Sequence, residues 1–179
     1  MSVLDLVYHP NPMLREKSTA IEVFDSELKT LSKNMIETMH DSKGIGLAGV
    51  QIGILKRILV IDIGNLKIEP EDEDMEFVSN PEVFINPKIL ESSGEIVYEE
   101  GCLSIPGVNA NIVRPSNLKV EYQNISGEKK IIETSGLKSI VIQHEIDHLD
   151  GILFPDHLSL MKKTMIWKKY SKLEKLKNE

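Results

Sequence analysis

Two histidines four residues apart, His144 and His148, lie in the stretch QHEIDHLDGILF with a glutamate, Glu145, beside the first. On a helix, positions i and i+4 share one face, so both imidazoles can aim a nitrogen at one metal ion while the carboxylate stands next to it. Metal-assisted hydrolysis is the chemistry this HExxH spacing serves, with the ion activating a water and the carboxylate moving its proton. Two nitrogens do not complete such a site, which takes three protein ligands and keeps one position open. One familiar completion, HExxHxxGxxH, is followed here through Gly151, but Phe154 stands where the third histidine would be.

The third ligand must come from elsewhere. His9 and His40 lie in or beside the N-terminal helix region and His157 in the turn after the HExxH segment, and each reads as an ordinary exposed or capping residue. Cys102 is the better candidate. It is the single cysteine, so it has no internal disulfide partner, and it sits in EEGCLSIPG just past a predicted strand, where Gly101 lets the backbone bend. A third stretch, KGIGLAGVQIG (43–53), is glycine-rich but lacks the lysine-serine ending and preceding strand of a phosphate loop. Its glycines allow another backbone to come close and Gln51 offers an amide donor, a combination suited to an extended peptide.

These residues need a frame. Leu28, Leu31, Met35 and Met39 form a helical stripe over 26–40, with Gly44 as a stop. The period then changes, and 57–63, 82–90, 95–100, 118–124 and 129–134 read as strands. From 136 to 150 the pattern is helical and apolar on nearly every side, which predicts a buried helix ended by Gly151 and Pro155. Leu158, Met161, Met165, Ile166, Tyr170 and Leu173 recur at helical spacing, predicting a C-terminal amphipathic helix packed on the body. The expected fold class is α+β: antiparallel or mixed sheets around a central buried helix carrying HExxH, with an N-terminal helix and the C-terminal one.

A chain of 179 residues with 41% hydrophobic content suits one domain over 1–179. No apolar run of eighteen residues occurs, and the start MSVLDLVYHPNP has neither a basic lead nor an apolar core, so a cytoplasmic protein without a membrane partner is expected. Net charge is −7, yet residues 161–179 carry seven lysines against two acids, a balance of +5 that leaves −12 on the rest. No DNA partner is expected. The lysine face reads first as solvated surface and second as an RNA contact. Six acids among the eight residues Glu69 to Glu76 read as a solvated loop without chemistry.

GIGLAGVQIG, EGCLS and QHEIDHL, in this order, resemble the three signature motifs of the peptide deformylases, which remove the N-formyl group from nascent bacterial polypeptides. The YHPNPMLR start, the INP element at 85–87 and the helical C-terminus are similar too. One departure is Gly49 after Ala48, where the family usually carries two adjacent alanines, and the acidic insertion around residue 72 is longer than in compact members. The resemblance implies that Cys102, His144 and His148 hold one divalent metal, ferrous iron in the first place, with zinc, nickel or cobalt accepted. It gives proton transfer to Glu145 and stabilisation of the formyl oxygen to the Gln51 amide and the Leu103 backbone N–H. Ile45 and Gly46 would bond the extended peptide, and Leu137, Ile140 and Val141, with Glu100 and Gly101 at the edge, are candidates for the methionine pocket. Arg114 is a candidate partner for Glu100 beside the metal. The expected partners are the formylmethionyl nascent peptide and, through the basic tail at 161–179, the ribosome near its exit tunnel. Two rivals differ in kind. An HExxH endopeptidase would show a long open cleft and need no cysteine, and a metal-binding module on ribosomal RNA would leave Glu145 idle.

Overall fold

The structure is a computed structural model that describes residues 2–67 and 76–177, with the side chain of Lys177 outside the description. The acidic run at 69–76 therefore lies, except for Glu76, outside the described residues. Among the described residues, three α-helices, α1 (Ser26–Asp41), α2 (Gly136–Leu149) and α3 (Leu160–Lys177), accompany seven strands. Five strands form one sheet in the order β1 (Gly46–Ala48), β2 (Ile58–Ile61), β3 (Glu82–Ser93), β6 (Asn117–Gln123), β7 (Lys129–Ser135). The remaining two, β4 (Ile96–Glu100) and β5 (Ala110–Arg114), pair as a separate two-stranded sheet. The fold is α+β, and among the described residues every strand pair is antiparallel, so that the expected option of mixed sheets is met there only by one isolated parallel bridge, Thr19 to Lys56.

Strand β2, ILVI, is buried on both faces and divides the core. Leu59 and Ile61 turn toward α2, joining Val141, Ile142, Ile146 and Leu149, while Ile58 and Val60 turn toward Met35 and Met39 of α1. This is the period-two consequence of a strand with a helix on each side. Helix α2 buries ten of its fourteen residues, as an all-round apolar helix must. Helix α1 begins at Asp25, whose carboxylate accepts from the Leu28 N–H at 2.9 Å, and it buries Leu28, Met35 and Met39. Its stop differs from expectation: the left-handed position is held by Lys43, φ 56°, one residue before Gly44.

Two strands escaped the sequence reading. β1 is three residues inside the glycine-rich stretch, too short for an alternation to register, and β5 is cut off by Pro115. Helix α3 packs on the body through part of the expected stripe, with Leu158 just before it. Tyr170 is buried and Ile166, Trp167 and Leu173 pack with it around Leu14, Ile105 and Phe154, whereas Met161 and Met165 point outward. Helical spacing places side chains on a stripe but does not say which of two overlapping stripes the body will cover.

Candidate metal centre and its pocket

Gly101 and Cys102 directly follow β4, and His144 and His148 lie one turn apart on α2. Tertiary folding brings the three together: one ligand atom from each lies within 4.8 Å of the others, and Cys102 Sγ stands 3.2 Å from His148 Nε2. The two imidazole rings are 5.0 Å apart and inclined at 71°. His144 Nδ1 donates to Glu100 Oε2 at 2.8 Å, which fixes the tautomer and frees Nε2 to face the sulfur. Burial lowers the pKa of His148 and so favours the neutral ring, the form that binds metals. For His144 burial acts in the same direction, but hydrogen bonds to Cys102 and Glu100 outweigh it and raise the pKa.

Glu100 is paired with Arg114, as the sequence reading allowed. Burial would raise its pKa, yet the Arg114 and His144 hydrogen bonds and charges prevail and hold it at about 2. Glu145 meets the opposite fate. It is almost completely buried, Oε2 has no hydrogen-bond partner, and burial above all pushes its pKa up to about 7. A buried carboxyl oxygen without a partner is costly, and a water or ion held by the neighbouring ligands would satisfy it. Gly46 makes room for this side chain, since a Cβ there would come 2.3 Å from Glu145 Oε1.

Gln51 is buried in a 3-10 turn, Gly49–Ile52, immediately after β1. Its Oε1 accepts from the Ala48 N–H at 2.8 Å, so the amide nitrogen is turned into the site, 3.6 Å from Cys102 Sγ and 3.3 Å from Ser104 Oγ. Leu103 belongs to the turn closed by the Ile105 N–H on the Cys102 carbonyl. At Gly49 a Cβ would meet the Ile54 carbonyl oxygen at 2.8 Å and that of Lys56 at 3.0 Å, so glycine in place of alanine lets the following turn sit close.

A cavity of about 910 Å³ opens onto this group. Ile45, Gly46, Gln51, Glu100, Gly101, Cys102, Leu103, Ile140, Val141, His144 and Glu145 all line it. His148 is buried behind the wall. Leu137 is not in the wall and is corrected here: one turn before Ile140 and Val141, it packs with the core around Ala48 and Leu118. The sequence reading missed Leu6, Tyr8, Tyr98 and Glu174, which also line the cavity and carry no motif. The other histidines do not reach the centre: His9 stacks on Trp167 at 4.1 Å, His40 bonds Asp62 and His157 bonds Asp147. The cysteine beside the two histidines is a feature for which the endopeptidase reading has no need.

The chain matches the family model described as polypeptide deformylase over residues 3–164. It is 45% identical over 178 residues to a peptide deformylase of Agrobacterium fabrum, covering 99% of both chains, and 48% identical over 180 residues to one of Bartonella tribocorum, covering 99% of this chain and 97% of that one. Among solved structures, a peptide deformylase from Legionella pneumophila superposes with a TM-score of 0.86 at 37% identity, covering 99% of each chain. One from Ehrlichia chaffeensis in complex with actinonin gives 0.84 at 40% identity, over 97% of this chain and 99% of that one. With the motifs, the architecture and these likenesses in agreement, the chain belongs to the polypeptide deformylase family, the hydrolases that remove the N-formyl group from nascent peptides.

Proposed function

We propose that Cys102, His144 and His148 together hold one divalent metal ion and that Glu145 carries the proton in hydrolysis of the formyl amide. One observation carries this reading: a sulfur and two imidazoles with ligand atoms within 4.8 Å, beside a buried carboxyl oxygen that no other group satisfies. Thiolate and imidazole donors suit ferrous iron, zinc, nickel or cobalt rather than magnesium or calcium, and ferrous iron is the physiological ion the family resemblance implies. When bound, the ion supplies a Lewis acid that acidifies water and polarises the formyl carbonyl.

Glu145 accepts a proton from the attacking water and then delivers it to the amide nitrogen, which must be protonated to leave as an amine. As the formyl carbon becomes tetrahedral, negative charge grows on its oxygen. The Gln51 amide, held by Ala48, and the Leu103 backbone N–H donate to that oxygen, each such donor being worth roughly 10²–10³ in rate. β1 is an edge strand, so Gly46 and the N–H of Ile45, whose carbonyl already accepts from the Asp62 N–H at 3.0 Å, offer backbone groups to an extended peptide, and the methionine side chain enters between Ile140 and Val141 with Glu100 and Gly101 at the edge. Glu145→Gln is expected to lower kcat/KM on formyl-Met-Ala-Ser by at least about 10² while metal content is retained. A wild-type rate in that variant overturns the reading. Actinonin, present with the Ehrlichia relative, is expected to compete with the peptide.

No helix among the described residues is long and apolar enough to cross a membrane, and action in the bacterial cytoplasm on chains leaving the ribosome follows from the substrate. Exposed Lys162, Lys168, Lys169, Lys172 and Lys175 on α3 support contact with ribosomal RNA. Replacing three of these lysines with glutamate is expected to abolish low-salt co-sedimentation with ribosomes and leave peptide deformylation intact; unchanged co-sedimentation removes the idea.

A further inference from the structure

Glu100 and Arg114 do not form an isolated pair. Arg114 turns Nε and Nη2 onto the two oxygens of Glu100 at 2.6 and 2.9 Å, and its third nitrogen, Nη1, donates to Asp147 Oδ2 at 2.7 Å. That same Asp147 oxygen accepts from His157 Nε2 at 2.7 Å, while Glu100 Oε2 accepts from His144 Nδ1 at 2.8 Å. Exposure rises along this chain, from 3% at the Glu100 and Arg114 side chains to 18% at Asp147 and 33% at His157.

We propose that Asp147 and His157 are positioning residues for the metal centre, closing from outside a hydrogen-bonded chain that runs from the His144 ring to the molecular surface. The proposal rests on the reading of His144 as a ligand. Its physical content is a clamp. Glu100 lies at the end of β4, two residues before Cys102, and Asp147 lies on α2 between His144 and His148, so Arg114 of β5 ties the strand that delivers the sulfur to the helix that delivers the imidazoles. A guanidinium has donors only and is always charged, so a buried one holds its orientation only if acceptors occupy each side. Asp147 occupies the side that Glu100 leaves. Without its charge the bond to Nη1 weakens, Arg114 and the Glu100 fork loosen, and the His144–Glu100 bond that aims Nε2 is held less firmly. His157, donating to the same oxygen, holds Asp147 facing Arg114 rather than solvent.

Partners beyond the ligands change metal affinity by roughly 10–100-fold when removed. Asp147→Asn, loaded with Co²⁺, is expected to lose the ion to a chelator about tenfold faster than wild type, read from the thiolate-to-cobalt absorption band. Its kcat is expected to fall with KM held. His157→Ala should release faster to a smaller extent, and His157→Gln, which keeps an N–H donor, should restore the wild-type rate. Glu82→Gln, which breaks a Lys138–Glu82 pair 2.6 Å long at the other end of α2, should change nothing. Wild-type release from folded Asp147→Asn, or equal acceleration in Glu82→Gln, overturns the proposal. If Asp147→Asn does not fold, the His157→Ala and His157→Gln pair decides: equal release rates overturn it. A wild-type cobalt protein without the thiolate band would instead sink the ligand reading itself.

Discussion

Two buried carboxylates, Asp62 and Glu145, have opposite surroundings. Asp62, at the end of β2, accepts from Ser79 Oγ, from the Asn80 and Gly64 N–H groups at 2.8 and 3.1 Å, and from His40 Nε2 at 2.8 Å. Burial would raise its pKa, but these bonds outweigh it and hold the carboxyl below its ordinary value. Glu145 has burial without the bonds: one oxygen is orphaned and the pKa stands at about 7. A histidine beside a buried acid is therefore no mark of function. What separates structure from chemistry here is whether the polar group is finished by the protein or left for something the protein must bind.

Breaking the two carboxylates should give opposite patterns. The largest effect falls on Glu145. Besides its loss of activity, the metal-free Glu145→Gln variant should be more stable than wild type above neutral pH. Glu145 ionises near 4.5 in the unfolded chain and near 7 when folded. A raised pKa contributes stability below the unfolded value and loses it as pH rises through the folded one, so the penalty is complete above about 7 and amounts to roughly 1–3 kcal/mol by denaturant melts. Gly46→Ala comes next. The added methyl displaces Glu145, and kcat should drop about 10²-fold with little change in melting temperature, because a small misplacement of a catalytic group costs that much.

Asp62→Ala should do the reverse. It strands four donors, and a loss of about 3 kcal/mol is expected with activity per folded molecule unchanged. Because the folded pKa of Asp62 is depressed, its contribution is present above the unfolded value of 3.8 and disappears as pH falls through the folded one; Asp62→Asn should flatten that acid limb of a stability-versus-pH curve. The smallest effect belongs to Tyr170→Phe, which removes the bond from Tyr170 Oη to the His9 carbonyl, 2.9 Å long, and should cost about 1 kcal/mol in a urea melt without touching the metal site.

Much of the centre was legible because its chemistry is local. HExxH on a helix is written in one turn, and Cys102 stood out as a lone thiol after a strand once a third ligand was required. β1 and β5 were not legible: three residues carry no period, and a strand that ends at Pro115 looks like a loop. His157 read as a turn residue because nothing in its own neighbourhood announces Asp147, its partner ten positions earlier on another element. Leu137 failed as a pocket residue for a related reason. Spacing put it on the face shared with His144, while the depth of the cavity along α2 depends on the elements around it.

By itself the sequence determined the residue types of the centre, the helix that presents two of them, the overall α+β class and the family, since each rests on short-range pattern or motif order. Only the tertiary structure decided that Cys102 meets the imidazoles, that Glu145 is left unsatisfied while Asp62 is satisfied, and that Arg114 joins strand to helix. Those outcomes depend on distances between segments remote in the chain, and hydrogen-bond satisfaction and burial are properties of the packed whole rather than of any stretch of residues.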